Sequence, residues 1–172
     1  MSERWRAARK VADIDWPSWQ ACDPATLVFV REGGRLLLIH KKRGLGAGKI
    51  NAPGGRIEAG ETALACGVRE VEEELGVTPT GLVHAGENRF QFVDGYSIHV
   101  QIFTATGRVG EPRETDEAIP LWVAEDDIPY DRMWADDRLW VPHLLAGRRC
   151  RGCFVFAGDD MLDAQLELDT TT

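Results

Sequence analysis

The segment Gly55–Val77, GRIEAGETALACGVREVEEELGV, constrains this chain more than any other stretch. Thr62 is a residue type that caps helix N-termini, Gly76 a type that ends helices, and no proline lies between them. Leu64, Val68, Val71 and Leu75 recur at spacings of four, three and four, so the periodicity predicts a helix with one apolar stripe. Glu70, Glu73 and Glu74 stand at i, i+3 and i+4 and are expected on roughly the opposite face, with Glu72 pointing away from them. Three carboxylates held that close repel one another. A hard divalent cation relieves the repulsion, and Mg²⁺ favours one or two carboxylates together with substrate phosphates. Ala63, Cys66 and Gly67 are expected on the carboxylate side, small enough to admit a loop or a phosphate. The plain alternative for such a charge run is a solvated acidic face.

The rest of the chain narrows the classes open to it. A length of 172 residues suits one domain with a real core, read as an N-terminal extension over residues 1–25 and a main domain over 26–172. A formal charge of −8 argues against holding a nucleic acid polymer by its phosphates. A single nucleotide is still compatible, because one basic loop and a metal can hold it. No apolar run is long enough to span a membrane. Residues 1–10 are charged and lack the apolar core of a signal peptide, so a cytoplasmic, reducing setting is expected. Cys22, Cys66, Cys150 and Cys153 are read as free thiols. The pair at 150 and 153 runs into a predicted strand, where residues three apart face opposite ways. His40, His84, His99 and His143 are scattered and are read as structural.

Strands are predicted at 26–30 and 35–40 around Glu32-Gly33-Gly34, at 83–93 and 97–106 around Asp94-Gly95, at 121–123 and at 150–156. Residues 41–49, KKRGLGAGK, form a glycine-rich basic loop, and 111–117 an acidic one. A second helix is expected over 137–145.

The spacing from Gly55 to Glu61 to Arg69-Glu70-Val71-Glu72-Glu73-Glu74-Leu75-Gly76-Val77 resembles the Nudix box at every fixed position. The resemblance implies an α/β chain, the Nudix α/β/α sandwich with a mixed β-sheet. It also implies hydrolysis of a nucleoside diphosphate linked to another group. Mg²⁺ is the implied cofactor, with Mn²⁺ as a substitute, and the metal set would be Gly54, Glu70, Glu73, Glu74 and Glu117. Glu74 or Glu73 would be the base that activates water, with Glu117 a further candidate. Arg69 is read as holding a glutamate such as Glu61 in place. Glu117 on its own would also read as an exposed loop acid.

Lys41–Gly55 and Met133–Pro142 look like the branch that hydrolyses oxidised purine nucleoside triphosphates, and the likeness extends over roughly residues 26–168. By that likeness Asn51 hydrogen-bonds the purine, Trp134 stacks on it, and Asp136 and Asp137 read its edge. Thr26, Phe90 and Phe92 would line the same pocket, and Lys41 would help to bind substrate. An indole stacks any base, and two adjacent carboxyls in a dry pocket share protons, so that one donates while the other accepts. Asp136 also has a structural alternative as a helix cap, and Phe90 and Phe92 as core residues. Leu45 and Ala52-Pro53 depart from the branch, which carries an aromatic residue and a Gly-aromatic pair there. The partner expected is a nucleoside triphosphate, with no polymer and no membrane, and the protein a monomer or homodimer. The rivals are a Nudix hydrolase for a dinucleoside polyphosphate or nucleotide sugar, and a Nudix module that senses a nucleotide without cleaving it.

Overall fold

The computed structural model describes residues 3–169. They fall into two compact units, one built from residues 3–24, 85–101 and 135–169, the other from Ala25–His84 and Ile102–Trp134. Thirteen elements follow in order: β1 (Asp23–Glu32), β2 (Arg35–Lys41), β3 (Ile50–Asn51), β4 (Gly54–Arg56), α1 (Ala63–Leu75), β5 (Thr78–Thr80), β6 (Val83–Phe92), β7 (Ser97–Ala105), β8 (Gly107–Val109), β9 (Ala118–Ala124), α2 (Asp137–Leu145), β10 (Cys150–Ala157) and β11 (Asp160–Leu168). Sheet pairing is mixed: β1–β2, β1–β4, β2–β3, β2–β9, β5–β8 and β10–β11 are antiparallel, and β10 runs parallel to β6.

In the second unit β1 and β2 form the expected hairpin across Gly33-Gly34, and β2 pairs β9 from Arg35↔Ala124 to Lys41↔Ala118. β4 pairs β1, with Thr26 opposite Gly55 and Leu27 opposite Gly54. β5 and β8 form a small separate sheet. Alternate residues of β1 and β2 (Val28, Val30, Leu37, Ile39) meet Val71 and Leu75 of α1, and Val77, Phe103, Ala105 and Ala118 complete the core. Each of the Val, Leu, Ile and Phe side chains contributes about 1.5–3 kcal/mol by leaving water.

The helix α1 begins where Thr62 Oγ1 accepts from Ala65 N–H at 3.1 Å and ends at Gly76, whose φ of 71° is one that side-chain-bearing residues rarely adopt. Its faces differ from the sequence reading. Successive residues turn about 100°, so Glu74 lies only about 60° around the helix from Val71, and it is buried, at 2 % exposure. Glu74 therefore borders the apolar stripe, whereas Glu73, about 200° around the helix from Val71, keeps to the opposite face with its side chain half exposed. Leu64 is 49 % exposed, and it is Ala63 that packs on the core in the first turn. Cys66 and Gly67 admit protein, not phosphate. Cys66 Sγ sits against Thr26 Oγ1, and a Cβ at Gly67 would press on the Val28 side chain.

In the first unit β10 lies between β6 and β11, with Asn88, Phe90 and Phe92 of β6 beside Gly152, Phe154 and Phe156 of β10. Helix α2 packs on β10. The N-terminal segment makes short helical turns at Val11–Asp13 and Trp16–Ser18. Ala8, Val11, Ile14 and Trp19 pack with Val155 of β10. Trp19 Nε1–H donates to Gln91 Oε1 at 2.9 Å, and Val11 N–H to Asp163 Oδ2 at 2.8 Å. Cys22, Cys66, Cys150 and Cys153 are in no disulfide. Among the described residues no helix is long and apolar enough to cross a membrane.

Candidate active site

The second unit brings the box residues together. β4 lies so close to β1 and α1 that neither of its first two residues has room for a side chain. A Cβ at Gly54 would overlap the Thr26 backbone carbonyl, and one at Gly55 would overlap the Glu70 carboxylate. That close approach lets Gly54 N–H donate to Glu74 Oε1 at 2.8 Å. Burial raises the pKa of Glu74 to about 8, against the pull of the Gly54 N–H; the Glu70 and Glu117 charges add to the rise and Lys41 opposes it. Burial likewise lifts Glu70, with Arg69 opposing and Glu73 and Glu117 adding to the rise. Glu72 stands apart, exposed, accepting from Thr78 Oγ1 at 2.9 Å.

Arg69 is the counter-charge. Its Nε and Nη2 meet the two oxygens of Glu61 at 2.7 and 2.9 Å, Nη1 meets Glu70 Oε1 at 2.9 Å and Glu73 Oε2 at 3.2 Å, and Nη2 also donates to Arg56 O at 3.1 Å. The Arg69 bond, with the Glu58 N–H, holds Glu61 down at about 2, and Arg69 itself is raised by its carboxylate partners. Fork-on-carboxylate pairing of this kind fixes orientation as well as charge.

The donor set suits a hard divalent cation. It consists of carboxylate oxygens, with Glu74 buried and Glu70 and Glu73 sharing the single Arg69 cation, and a small dication supplies further positive charge. The cage is not preformed. Among the described residues no three His, Cys, Asp or Glu side chains converge on a metal-sized position. Glu70 and Glu73 are turned toward Arg69 and would have to turn back to hold a cation.

Beside the cluster the basic and acidic loops are joined. Arg43 Nη2 pairs with Glu117 Oε1 at 2.7 Å, and Lys42 Nζ with Glu114 Oε1 at 2.5 Å and Thr115 O at 2.8 Å. Thr115 Oγ1–H in turn donates to Glu74 O at 2.7 Å, a link the sequence reading missed. The basic residues at 42 and 43 thus meet acids of their own chain. Gly46 lies against the Trp134 indole with no room for a Cβ, and Lys49 Nζ sits 5.1 Å from that ring's centre. Thr26 is buried with its hydroxyl at Cys66, and Asn51 Oδ1 accepts from Ala52 N–H at 2.9 Å.

The remaining expected residues belong to the first unit. Phe90 stacks on Phe154 with centroids 5.1 Å apart and planes at 19°, while Phe92 is buried beside Phe156 and Tyr96. Asp136 precedes α2 but makes no capping bond with its side chain. Its Oδ2 accepts from Trp140 Nε1–H at 2.8 Å, its Oδ1 is buried without a hydrogen-bond partner, and burial pushes its carboxyl upward. Asp137 is buried in the first turn of α2.

A family model for the NUDIX domain matches residues 23–144, and the chain belongs to the NUDIX family. It is 45 % identical over 138 residues to the oxidized purine nucleoside triphosphate hydrolase of Danio rerio, covering 80 % of this chain and 88 % of that one. To the Mus musculus protein of the same name it is 39 % identical over the same length, with the same coverage. The crystal structure of the mutator MutT protein from Bacillus halodurans superposes with a TM-score of 0.76 at 29 % identity, over 84 % of this chain and 97 % of that one.

Proposed function

We propose that this chain hydrolyses oxidised purine nucleoside triphosphates, 8-oxo-dGTP being the type substrate, to the monophosphate and pyrophosphate with Mg²⁺. The observation that carries the proposal is the carboxylate cluster built around buried Glu74, where Glu70, Glu73 and Glu117 bear on one another as a set of oxygen donors that suits a divalent cation. The 45 % identity to a hydrolase of oxidised purine nucleotides supports the substrate.

Glu70, Glu73 and Glu74 would hold the cation, with Glu117 and the backbone at Gly54 beside them. Bound Mg²⁺ polarises the bridging phosphates and makes a nearby water more acidic. The side chains then have separable tasks. Gly54 N–H fixes the Glu74 carboxylate, and Glu74 is poised to take a proton near neutral pH. Arg69 orients Glu61, Glu70 and Glu73 and is a positioning residue. Lys41, within electrostatic reach of Glu74, is placed to attract a triphosphate. Trp134 offers a stacking face, and Asn51, Asp136 and Asp137 supply donors and acceptors for the base. Burial moves the Asp136 carboxyl upward, toward the range in which it shares a proton with a partner.

Product analysis tests this. With Mg²⁺ and 8-oxo-dGTP the expected products are the monophosphate and pyrophosphate. Binding without turnover, or release of orthophosphate, contradicts the proposal.

A further inference from the structure

Asn88 stands out in the first unit. It lies on β6, 1 % exposed, and neither Oδ1 nor Nδ2 has a hydrogen-bond partner among the described residues. Its two-residue spacing from Phe90 and Phe92 puts it on their face of the strand. The neighbour across the parallel ladder is Gly152, where a Cβ would overlap the Asn88 amide oxygen and the Phe154 ring. The carboxamide thus leans over bare backbone next to the stacked pair Phe90–Phe154. A buried amide with four unused hydrogen-bonding positions costs stability, and such groups call for an explanation. Asp136 of the same unit shows the same signature, with one buried oxygen left over.

We propose that Asn88 is a specificity-determining residue that reads the oxidised edge of the purine. This rests on the reading of the Phe90–Phe92 face as part of the base site. An 8-oxopurine presents N7–H as a donor next to O8 as an acceptor. Oδ1 accepts from the first and Nδ2 donates to the second. An unoxidised purine offers N7 as an acceptor and has no O8, so a turned carboxamide makes one hydrogen bond to it, from Nδ2–H, where the oxidised base takes two. Asn88 therefore favours the oxidised base by two hydrogen bonds against one. The amide is closed off from solvent, as the Asp136 carboxyl is, so contact with the base needs a local opening of this wall.

The test uses Asn88→Leu, which removes both polar atoms at similar volume, and Asn88→Ala, which adds no bulk. Each is measured on 8-oxo-dGTP, dGTP and dCTP, with the melting temperature of the nucleotide-free protein alongside. The expected result is a fall of about tenfold in the 8-oxo-dGTP to dGTP ratio of kcat/KM, the size of one good hydrogen bond. Turnover of dCTP should be unchanged, and Asn88→Leu should melt no lower than wild type. An unchanged ratio in Asn88→Ala overturns the proposal, as does an equal loss on all three nucleotides. Phe90→Ala separates the two readings. If it weakens purines selectively while Asn88→Ala leaves the ratio alone, only the role of Asn88 falls. If it leaves purine KM unaltered, the base-site reading falls and this proposal with it.

Discussion

Replacing Glu74 by glutamine keeps the acceptor for Gly54 N–H and removes a buried charge, so stability and catalysis should move in opposite directions. The Glu74 carboxyl sits at about 8 in the fold, against 4.5 when unperturbed. The folded state therefore holds its proton more tightly than the unfolded chain. Stability is fully present below about 4.5 and is lost as pH rises toward 8, because folding then traps a poorly solvated carboxylate. At pH 7 the difference amounts to about 3 kcal/mol. For a chain of this size that corresponds to roughly 6–12 °C in melting temperature. In chelator, Glu74→Gln should melt higher than wild type by that order at pH 7 and higher still at pH 8, with no difference at pH 4.5. Added Mg²⁺ should raise the melting temperature of wild type, by mass action on the folded state, and raise that of the variant much less. Activity of the variant should nearly vanish. Thermal melts followed by circular dichroism at three pH values decide the matter. A variant less stable than wild type at pH 8 would refute the reasoning, since it would mean that the ionised carboxylate is well satisfied where it lies.

Three further outcomes follow from the same geometry. Glu61, held at about 2 by Arg69, contributes stability that is present above 4.5 and lost as pH falls toward 2; in Glu61→Gln this acid limb should disappear from the pH-stability curve. Gly55→Ala should destabilise by about 1–3 kcal/mol through overpacking and displace the Glu70 carboxylate, so Mg²⁺ affinity measured by calorimetry should fall with it. Asp137→Asn should raise KM for 8-oxo-dGTP about tenfold while lowering kcat far less, the pattern of lost binding energy; an equal effect on pyrimidine substrates would make the residue structural.

Helix α1 was legible because its determinants are local. Thr62 and Gly76 are caps whose chemistry is written in the residue type. The burial of Glu74 was not, because it depends on β4 lying against both β1 and α1, and spacing along one helix does not reveal what packs on it. The same holds for Cys66 and Gly67, whose small size serves the strands beneath. The docking of the N-terminal segment rests on Trp19 reaching Gln91, far along the chain, which no local pattern signals. β11 was missed although Leu162, Ala164, Leu166 and Leu168 alternate with Asp163, Gln165 and Glu167, a usable period-two signal. The position of Asp136 ahead of α2 reads as a helix cap, but the structure gives its oxygen to the Trp140 indole instead. Asn88 carried no signal in the sequence, since a lone asparagine within a strand pattern reads as a surface residue until its neighbours are known.

The central claim is that a carboxylate-built hydrolytic site acts on oxidised purine nucleotides. The most direct measurement is kcat/KM for 8-oxo-dGTP and for dGTP under identical conditions with Mg²⁺. The account predicts a clear preference for the oxidised nucleotide, abolished for both by Glu74→Gln. Equal kcat/KM for the two, or turnover that survives in excess chelator, would contradict it.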